Sequence, residues 1–226
     1  VAGPPTGEEG LLIGTALLLS ALCLLAALPA GRDAARRGGG FVLASLALLA
    51  FAAITVLVSG TPWEWRSTWT LGGDGCHLRL DALSAFFALL LSAVGAAATV
   101  YSRAYWTDDA HPRSAPAGRV WWIVLLGSLA AVLLQSNGLH FLIAWELCTV
   151  AAYFLITLDR RTRAVRDAGW LYLGASHVGT LCLFAFFALL AARVGNWDLG
   201  PQPDRPDLAP LFWLALAGFG VKAGVF

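Results

Sequence analysis

The chain has 226 residues, of which 58% are hydrophobic and 13% are charged, and its formal net charge is +1. Soluble domains carry about 25% charged residues, so this composition excludes an ordinary soluble domain and predicts a membrane protein that crosses the bilayer several times. The net charge is small and the arginines are gathered in particular loops, so we expect no nucleic-acid partner.

The chain contains apolar segments that are each close to the roughly 17–25 residues needed by a membrane-spanning helix. Seven such segments are predicted, at 11–29, 41–60, 80–102, 120–137, 139–158, 168–193 and 209–226. Their runs are continuously rich in Leu and Ala, which favours helices over barrel strands, since barrel strands alternate apolar and polar residues. The predicted fold class is therefore an all-α, polytopic membrane helical bundle, with long loops at 61–79, 103–119 and 194–208.

The charges around the segments predict how the chain is oriented. Glu8 and Glu9 precede the first segment, where a cleaved signal peptide has basic residues, so we expect a retained first helix. Arginine-rich loops tend to lie in the cytoplasm, and the richer of the two alternate sets of loops predicts an outside N-terminus. That set holds ten arginines (Arg32, Arg36, Arg37, Arg103, Arg113, Arg119, Arg160, Arg161, Arg163 and Arg166), against four in the other (Arg66, Arg79, Arg193 and Arg205).

Two charged residues lie well inside apolar segments. Glu146 is in segment 139–158, and Lys222, the only lysine of the chain, is in segment 209–226. A charge at the centre of a membrane helix costs roughly 2.5–3.5 kcal/mol on insertion scales, and such residues usually mark ion or proton pathways. The sequence therefore predicts that Glu146 and Lys222 carry the function. The structural alternative is a static ion pair, or a lysine that extends to the interface.

Two histidines also lie in apolar segments. His177 lies near the middle of segment 168–193, with Gly174 and Thr180 one turn away on either side. The pKa of an unperturbed histidine, about 6.5, suits proton transfer near neutral pH, so His177 is a candidate proton relay. A histidine hydrogen-bonded to a neighbouring helix fits the pattern equally well. His140, at the outer end of segment 139–158, is predicted to be an interfacial residue.

The loop motif GGDGCH (72–77) offers Asp74, Cys76 and His77 as metal ligands, but no second set of ligands accompanies them. We predict a turn there and no metal site. The other three cysteines lie inside apolar segments, so no disulfide is expected. No nucleotide-binding loop, haem ligand set or iron–sulfur cysteine run is found in the sequence, so no cofactor is predicted.

Four stretches carry a family resemblance: RLDALSAFFALLLS (79–92), LHFLIAWELCTVAAYFLI (139–156), GWLYLGASHVGTLCLF (169–184) and GFGVKAGVF (218–226). Together they resemble the antiporter-like membrane subunits. That superfamily comprises the proton-pumping subunits of complex I, Mrp-type cation/proton antiporters, and the related subunits of hydrogenase-4 and formate hydrogenlyase. The segment SHVGT (176–180) is closer to the hydrogenase-linked members, because several complex I subunits have Arg and Asp in the places of His177 and Thr180.

The resemblance implies specific roles for the buried charges. Glu146 matches the family's helix-5 glutamate and Lys222 its helix-7 lysine, a pair that drives proton translocation by changing each other's pKa. The family fold has two inverted five-helix repeats. This chain would hold the first three helices and most of the first repeat.

We therefore expect two N-terminal helices and an outer loop over residues 1–78, followed by a proton-translocation domain over residues 79–226 that is truncated at its C-terminus. The implied function is translocation of protons, or of other cations, by a membrane subunit of a redox-driven complex of the hydrogenase-4, formate hydrogenlyase or complex I type. An Mrp-type cation/proton antiporter subunit is the alternative. The implied partners are the other membrane and hydrophilic subunits of that complex, the lipid bilayer and protons. The implied location is the cell inner membrane.

Overall fold

The computed structural model of the chain describes residues 7–28, 34–201 and 205–225. Arg32, which the topology prediction uses, and Phe226, the last residue of the seventh predicted segment, lie outside the described residues. Within them the chain forms seven α-helices: α1 (Gly7–Ala26), α2 (Ala34–Ser59), α3 (Ala82–Tyr105), α4 (Ala115–Leu134), α5 (Gly138–Ile156), α6 (Arg163–Val194) and α7 (Leu211–Ala223). Two strands, β1 (Trp63–Leu71) and β2 (Asp74–Leu80), separate α2 from α3, and a 3-10 turn (Pro206–Leu208) precedes α7.

The predicted helical membrane fold is confirmed. Among the described residues, six helices are long and apolar enough to cross a membrane. The described part of α7 has 13 residues, which corresponds to about 20 Å and is shorter than the roughly 30 Å hydrocarbon core of a bilayer. The seventh predicted segment is therefore helical, but over fewer residues than its apolar length indicates.

The predicted loop at 61–79 is wrong in one respect, because most of it is a β-hairpin. Gly72 and Gly73 form its two-residue turn with φ values of 66° and 94°, a left-handed conformation that favours glycine. The turn predicted for GGDGCH is thus confirmed at Gly72 and Gly73, whereas the residues from Asp74 to His77 belong to β2. The strand signal was present in the sequence WEWRSTWTL, in which aromatic and β-branched residues are concentrated immediately before Gly-Gly.

The chain divides into two compact units. The first consists of Val1–Trp65 and Leu78–Leu134, and its helices pack through small side chains. Ala16 of α1, Ala52 of α2 and Ala85 of α3 are all buried, which allows the close helix contacts that stabilise bundles in a membrane. The buried Ser20 hydroxyl donates to the Ser45 carbonyl at 2.9 Å, so this polar group between α1 and α2 is satisfied.

The second unit consists of Arg66–His77 and Gln135–Phe226. In it, the start of α5 is fixed by Asn137, whose Oδ1 accepts from the backbone N–H groups of Leu139 at 2.9 Å and His140 at 3.2 Å. The His140 residue is only 4% exposed, and its Nε2 lies 3.0 Å from the Leu71 carbonyl. The sequence did not indicate this burial. Because a carbonyl only accepts, Nε2 carries a proton, and the ring ties α5 to β1.

The helices α6 and α7 of the second unit approach each other through two buried glycines. A Cβ atom on Gly218 would lie 2.9 Å from the Gly179 carbonyl oxygen, and one on Gly179 would lie 3.1 Å from the Gly218 carbonyl oxygen. The backbones are thus too close for a larger residue at Gly218, as in other small-residue crossings of membrane helices. This crossing places Lys222, one turn after Gly218, beside α6.

Candidate functional site

Glu146 lies on α5, eight residues after Gly138, which is about 12 Å along the helix axis. Its carboxylate is met by two side chains of α6. The Thr180 hydroxyl donates to Oε1, and His177 Nε2 lies 3.5 Å from Oε2. The Glu146 side chain is 31% exposed and that of His177 is 52% exposed. The structure therefore brings together two of the three residues that the sequence singled out.

The protonation of His177 follows from its second contact. Its Nδ1 lies 2.8 Å from the Leu173 carbonyl oxygen, and because that oxygen only accepts, Nδ1 carries a proton. Nε2 is then the ring nitrogen that faces the Glu146 carboxyl group, and both groups can bind a proton. A proton at this contact is held either on Nε2, giving an imidazolium beside a carboxylate, or on Glu146, giving a carboxyl group that faces Nε2. The pair can therefore hold one proton and exchange it between its members.

Lys222 lies in the last turn of α7 and is held by other groups. Its ammonium donates to the Thr149 hydroxyl of α5, and Nζ lies 5.3 Å from the ring centroid of Trp145 and 5.7 Å from that of Tyr172. Among the described residues, no ion pair of 4.0 Å or less joins Lys222 to Glu146. The two charges that the sequence paired are thus near the same turn of α5 but not in direct contact.

Local sequence explains this placement. Trp145, Glu146 and Thr149 lie within about one turn of one helix, where residues three and four apart are neighbours. Lys222 lies in the last turn of α7, and Gly224 ends that helix in a left-handed conformation, with a φ value of 72°. Lys222 is therefore near the negative end of the helix dipole, where a positive charge is favourable.

Sequence reasoning missed the roles of Thr149 and Tyr172. A signal for Thr149 was available, because it lies three residues after Glu146 and so shares its helix face. Trp145 was also distinctive, as the one tryptophan far from a predicted helix end. Tyr172 had no comparable signal, since its contact with Lys222 depends on how α6 and α7 cross.

The hairpin residues considered as metal ligands have other surroundings. Asp74 Oδ2 accepts from the Asn137 amide at 3.3 Å, and burial raises the pKa of the Cys76 thiol. Within the described part of the chain, no group of three or more His, Cys, Asp or Glu side chains is placed to hold a metal ion. None of the four cysteines, all of which are described, forms a disulfide.

No family model matches the chain, but curated relatives do. Hydrogenase-4 component B of Escherichia coli (strain K12) is 30% identical over 152 residues, which cover 66% of this chain and 22% of that protein. A probable K+/H+ antiporter subunit of Rhizobium meliloti is 24% identical over 144 residues, covering 63% of this chain and 14% of the relative. NADH-quinone oxidoreductase subunit N of Desulforudis audaxviator is 26% identical over 204 residues, which cover 83% of this chain and 39% of that protein. The chain spans less than half the length of each of these relatives.

Solved structures agree with these relatives on the fold. The Mrp complex from Dietzia sp. superimposes with a TM-score of 0.71 at 23% identity, covering 95% of this chain and 24% of the matched chain. The membrane-bound sulfane sulfur reductase, an archaeal respiratory membrane complex, gives a TM-score of 0.63 at 21% identity, covering 95% of this chain and 34% of the matched chain.

The fold therefore defines a multi-span helical membrane protein with an antiporter-like architecture. The homologues specify the group further. The chain is related to the antiporter-like membrane subunits of hydrogenase-4, of Mrp-type and other cation/proton antiporters, and of NADH-quinone oxidoreductase, and the predicted resemblance is confirmed.

Proposed function

We propose that this chain belongs to a membrane subunit that translocates protons in a redox-driven complex of the hydrogenase-4, formate hydrogenlyase or complex I type. Its partners are the other membrane and hydrophilic subunits of that complex, and the subunit has no redox cofactor of its own. It lies in the cell inner membrane with its N-terminus outside. The names of the relatives, hydrogenase-4 component B and NADH-quinone oxidoreductase subunit N, support the redox-linked assignment.

The observation that carries the proposal is the contact between Glu146 Oε2 and His177 Nε2, which lie 3.5 Å apart. Two titratable groups this close together within an apolar segment can pass a proton between them, which is the chemistry of a proton relay. Lys222 adds a positive charge near the same turn of α5. Two unit charges 4 Å apart interact by about 4 kcal/mol at an effective dielectric constant near 20, so a movement of Lys222 toward Glu146 would change the energy of that proton substantially.

Replacing the carboxylate tests the proposal. Glu146→Gln keeps the side-chain volume and an acceptor for Thr180 but cannot exchange a proton. We expect proton uptake by inside-out vesicles during turnover of the complex to fall at least about a hundredfold, the usual cost of losing an acid–base group. Assembly should be retained. Glu9→Gln, which changes an exposed carboxylate at the start of α1, is the matched control. A Glu146→Gln complex that moves the wild-type number of protons per electron would contradict the proposal.

A cation/proton antiporter subunit is the second candidate function, and the K+/H+ antiporter relative favours it. The two functions differ in what drives proton movement. In vesicles with a preset pH gradient and no electron donor, an antiporter collapses the gradient when K+ or Na+ is added. A redox-driven subunit leaves the gradient unchanged until the electron donor is supplied.

A further inference from the structure

The surroundings of Lys222 are those of a binding site for an ammonium group. One indole ring, one phenol ring and one hydroxyl group face Nζ, from Trp145, Tyr172 and Thr149. Aromatic faces attract cations through their negative charge density, within about 6 Å of the ring centroid. Both ring distances, 5.3 Å and 5.7 Å, fall within that range.

We infer that Trp145, Thr149 and Tyr172 form an ammonium cage, which holds Lys222 away from Glu146, and that Thr149 is the positioning residue of this cage. The cage itself is read from the contacts of Lys222. Its part in transport rests on the function proposed above.

The hydrogen bonds of Thr149 make it an acceptor for Lys222. Its hydroxyl proton is donated to the Trp145 carbonyl at 3.1 Å, which leaves the oxygen lone pairs available to the ammonium. Thr149 is fully buried, with 0% exposure, whereas Lys222 is half-buried, so the acceptor side of the contact is shielded from water. A buried acceptor with its own proton already engaged fixes the direction of the bond from Lys222 to Thr149.

The cage and Glu146 offer Lys222 alternative positions on one helix. Thr149 is three residues after Glu146 on α5, so their Cβ atoms are roughly 5–6 Å apart. The Glu146 carboxyl group is already engaged by Thr180 and His177. While the pair holds its proton, the cage keeps the ammonium one helical turn away. Release of that proton leaves a stronger negative charge on the pair, which attracts Lys222 out of the cage.

The cage is testable without any transport assay, because Lys222 is the only lysine in the chain. With 15N- and 13C-labelled lysine, the 226-residue chain in lipid bilayers gives a single set of lysine NMR signals. Ring currents from Trp145 and Tyr172 should shift the protons next to Nζ upfield of their values in a free lysine. Trp145→Leu and Tyr172→Leu should each remove part of the shift, and Tyr172→Phe, which keeps the ring, should retain it.

Lysine signals at free-lysine positions in the wild-type chain, or signals that Trp145→Leu and Tyr172→Leu leave unmoved, would overturn the cage. This outcome is separate from failure of the proposed function, which is shown by a Glu146→Gln complex that still pumps. A chain with upfield lysine signals whose complex does not depend on Glu146 would keep the cage and remove its role in transport.

The positioning role of Thr149 is tested by a pair of variants in the complex. Thr149→Val keeps the shape but removes the acceptor, and Thr149→Ser restores it. Since a hydrogen bond to a charged group is lost, we expect Thr149→Val to slow proton translocation about tenfold or more, and to broaden or move the lysine signals. Thr149→Ser should restore both the rate and the signals. Equal rates and identical lysine spectra for the Val and Ser variants would refute the role of Thr149.

Discussion

The two units of the chain bury polar groups of different kinds. In the first unit, buried hydroxyls of the described helices bond to neutral groups, such as Ser92 to the Ala88 carbonyl at 2.8 Å, and Thr99, which donates to the Gly95 carbonyl at 2.7 Å and accepts from Trp122 Nε1 at 2.9 Å. In the second unit, hydroxyls also serve ionisable groups: Thr180 donates to Glu146, and Thr149 accepts from Lys222. A buried hydroxyl needs only one hydrogen-bond partner, and a neutral group supplies it, whereas a buried ionisable group is costly and usually functional.

The comparison is sharpest for two buried or half-buried hydroxyls with different partners. Thr180→Val removes the donor to Glu146, so we expect proton translocation to fall about tenfold, and Thr180→Ser should restore it. Ser92→Ala removes a hydroxyl whose bond stays within α3, and we expect wild-type translocation with a stability change of about 1 kcal/mol or less. The measurements are proton uptake by vesicles and thermal unfolding of the purified complex. Equal losses of translocation in the two variants would contradict the distinction between the units.

The hairpin offers a smaller effect that depends on pH. Burial raises the pKa of the Cys76 thiol, so the fraction of reactive thiolate at neutral pH is lower than in a free cysteine. We expect a membrane-impermeant maleimide to label Cys76 slowly near pH 7 and faster as the pH rises toward the raised pKa. Labelling of a small thiol in the same solution, such as glutathione, should reach its maximum at lower pH.

The same experiment tests the orientation, because Cys76 is the only cysteine outside the apolar segments. The predicted outside N-terminus places the hairpin on the outer face, so the reagent should label Cys76 in intact cells. Labelling that occurs only after the cytoplasmic face is opened would reverse the predicted topology.

The sequence predicted the features that depend on one helix at a time. The seven apolar segments correspond to the seven helices of the described residues, and the cost of a charge in a membrane singled out Glu146 and Lys222. The contact of His177 with Glu146 joins α5 to α6, and neither segment alone indicates which faces meet. The cage around Lys222 depends on the Gly179 and Gly218 crossing, which the sequence showed only as glycines near a lysine.

One error accounts for a second feature that the sequence does not predict. The stretch 61–79 is predicted as a loop because the concentration of aromatic and β-branched residues in β1 is not recognised as a strand signal. The partner of His140, the Leu71 carbonyl, is on that unrecognised strand. The burial of His140 therefore cannot be predicted without β1.

The central claim is that Glu146 and Lys222 take part in proton movement and are not a static pair. Its most direct test is the double variant Glu146→Gln/Lys222→Met in the assembled complex, with protons counted per electron transferred. A static pair is replaceable by neutral side chains of similar volume with little loss. We predict that the double variant assembles, and that proton translocation is lost at least about a hundredfold. Wild-type proton counts in the double variant would contradict the claim.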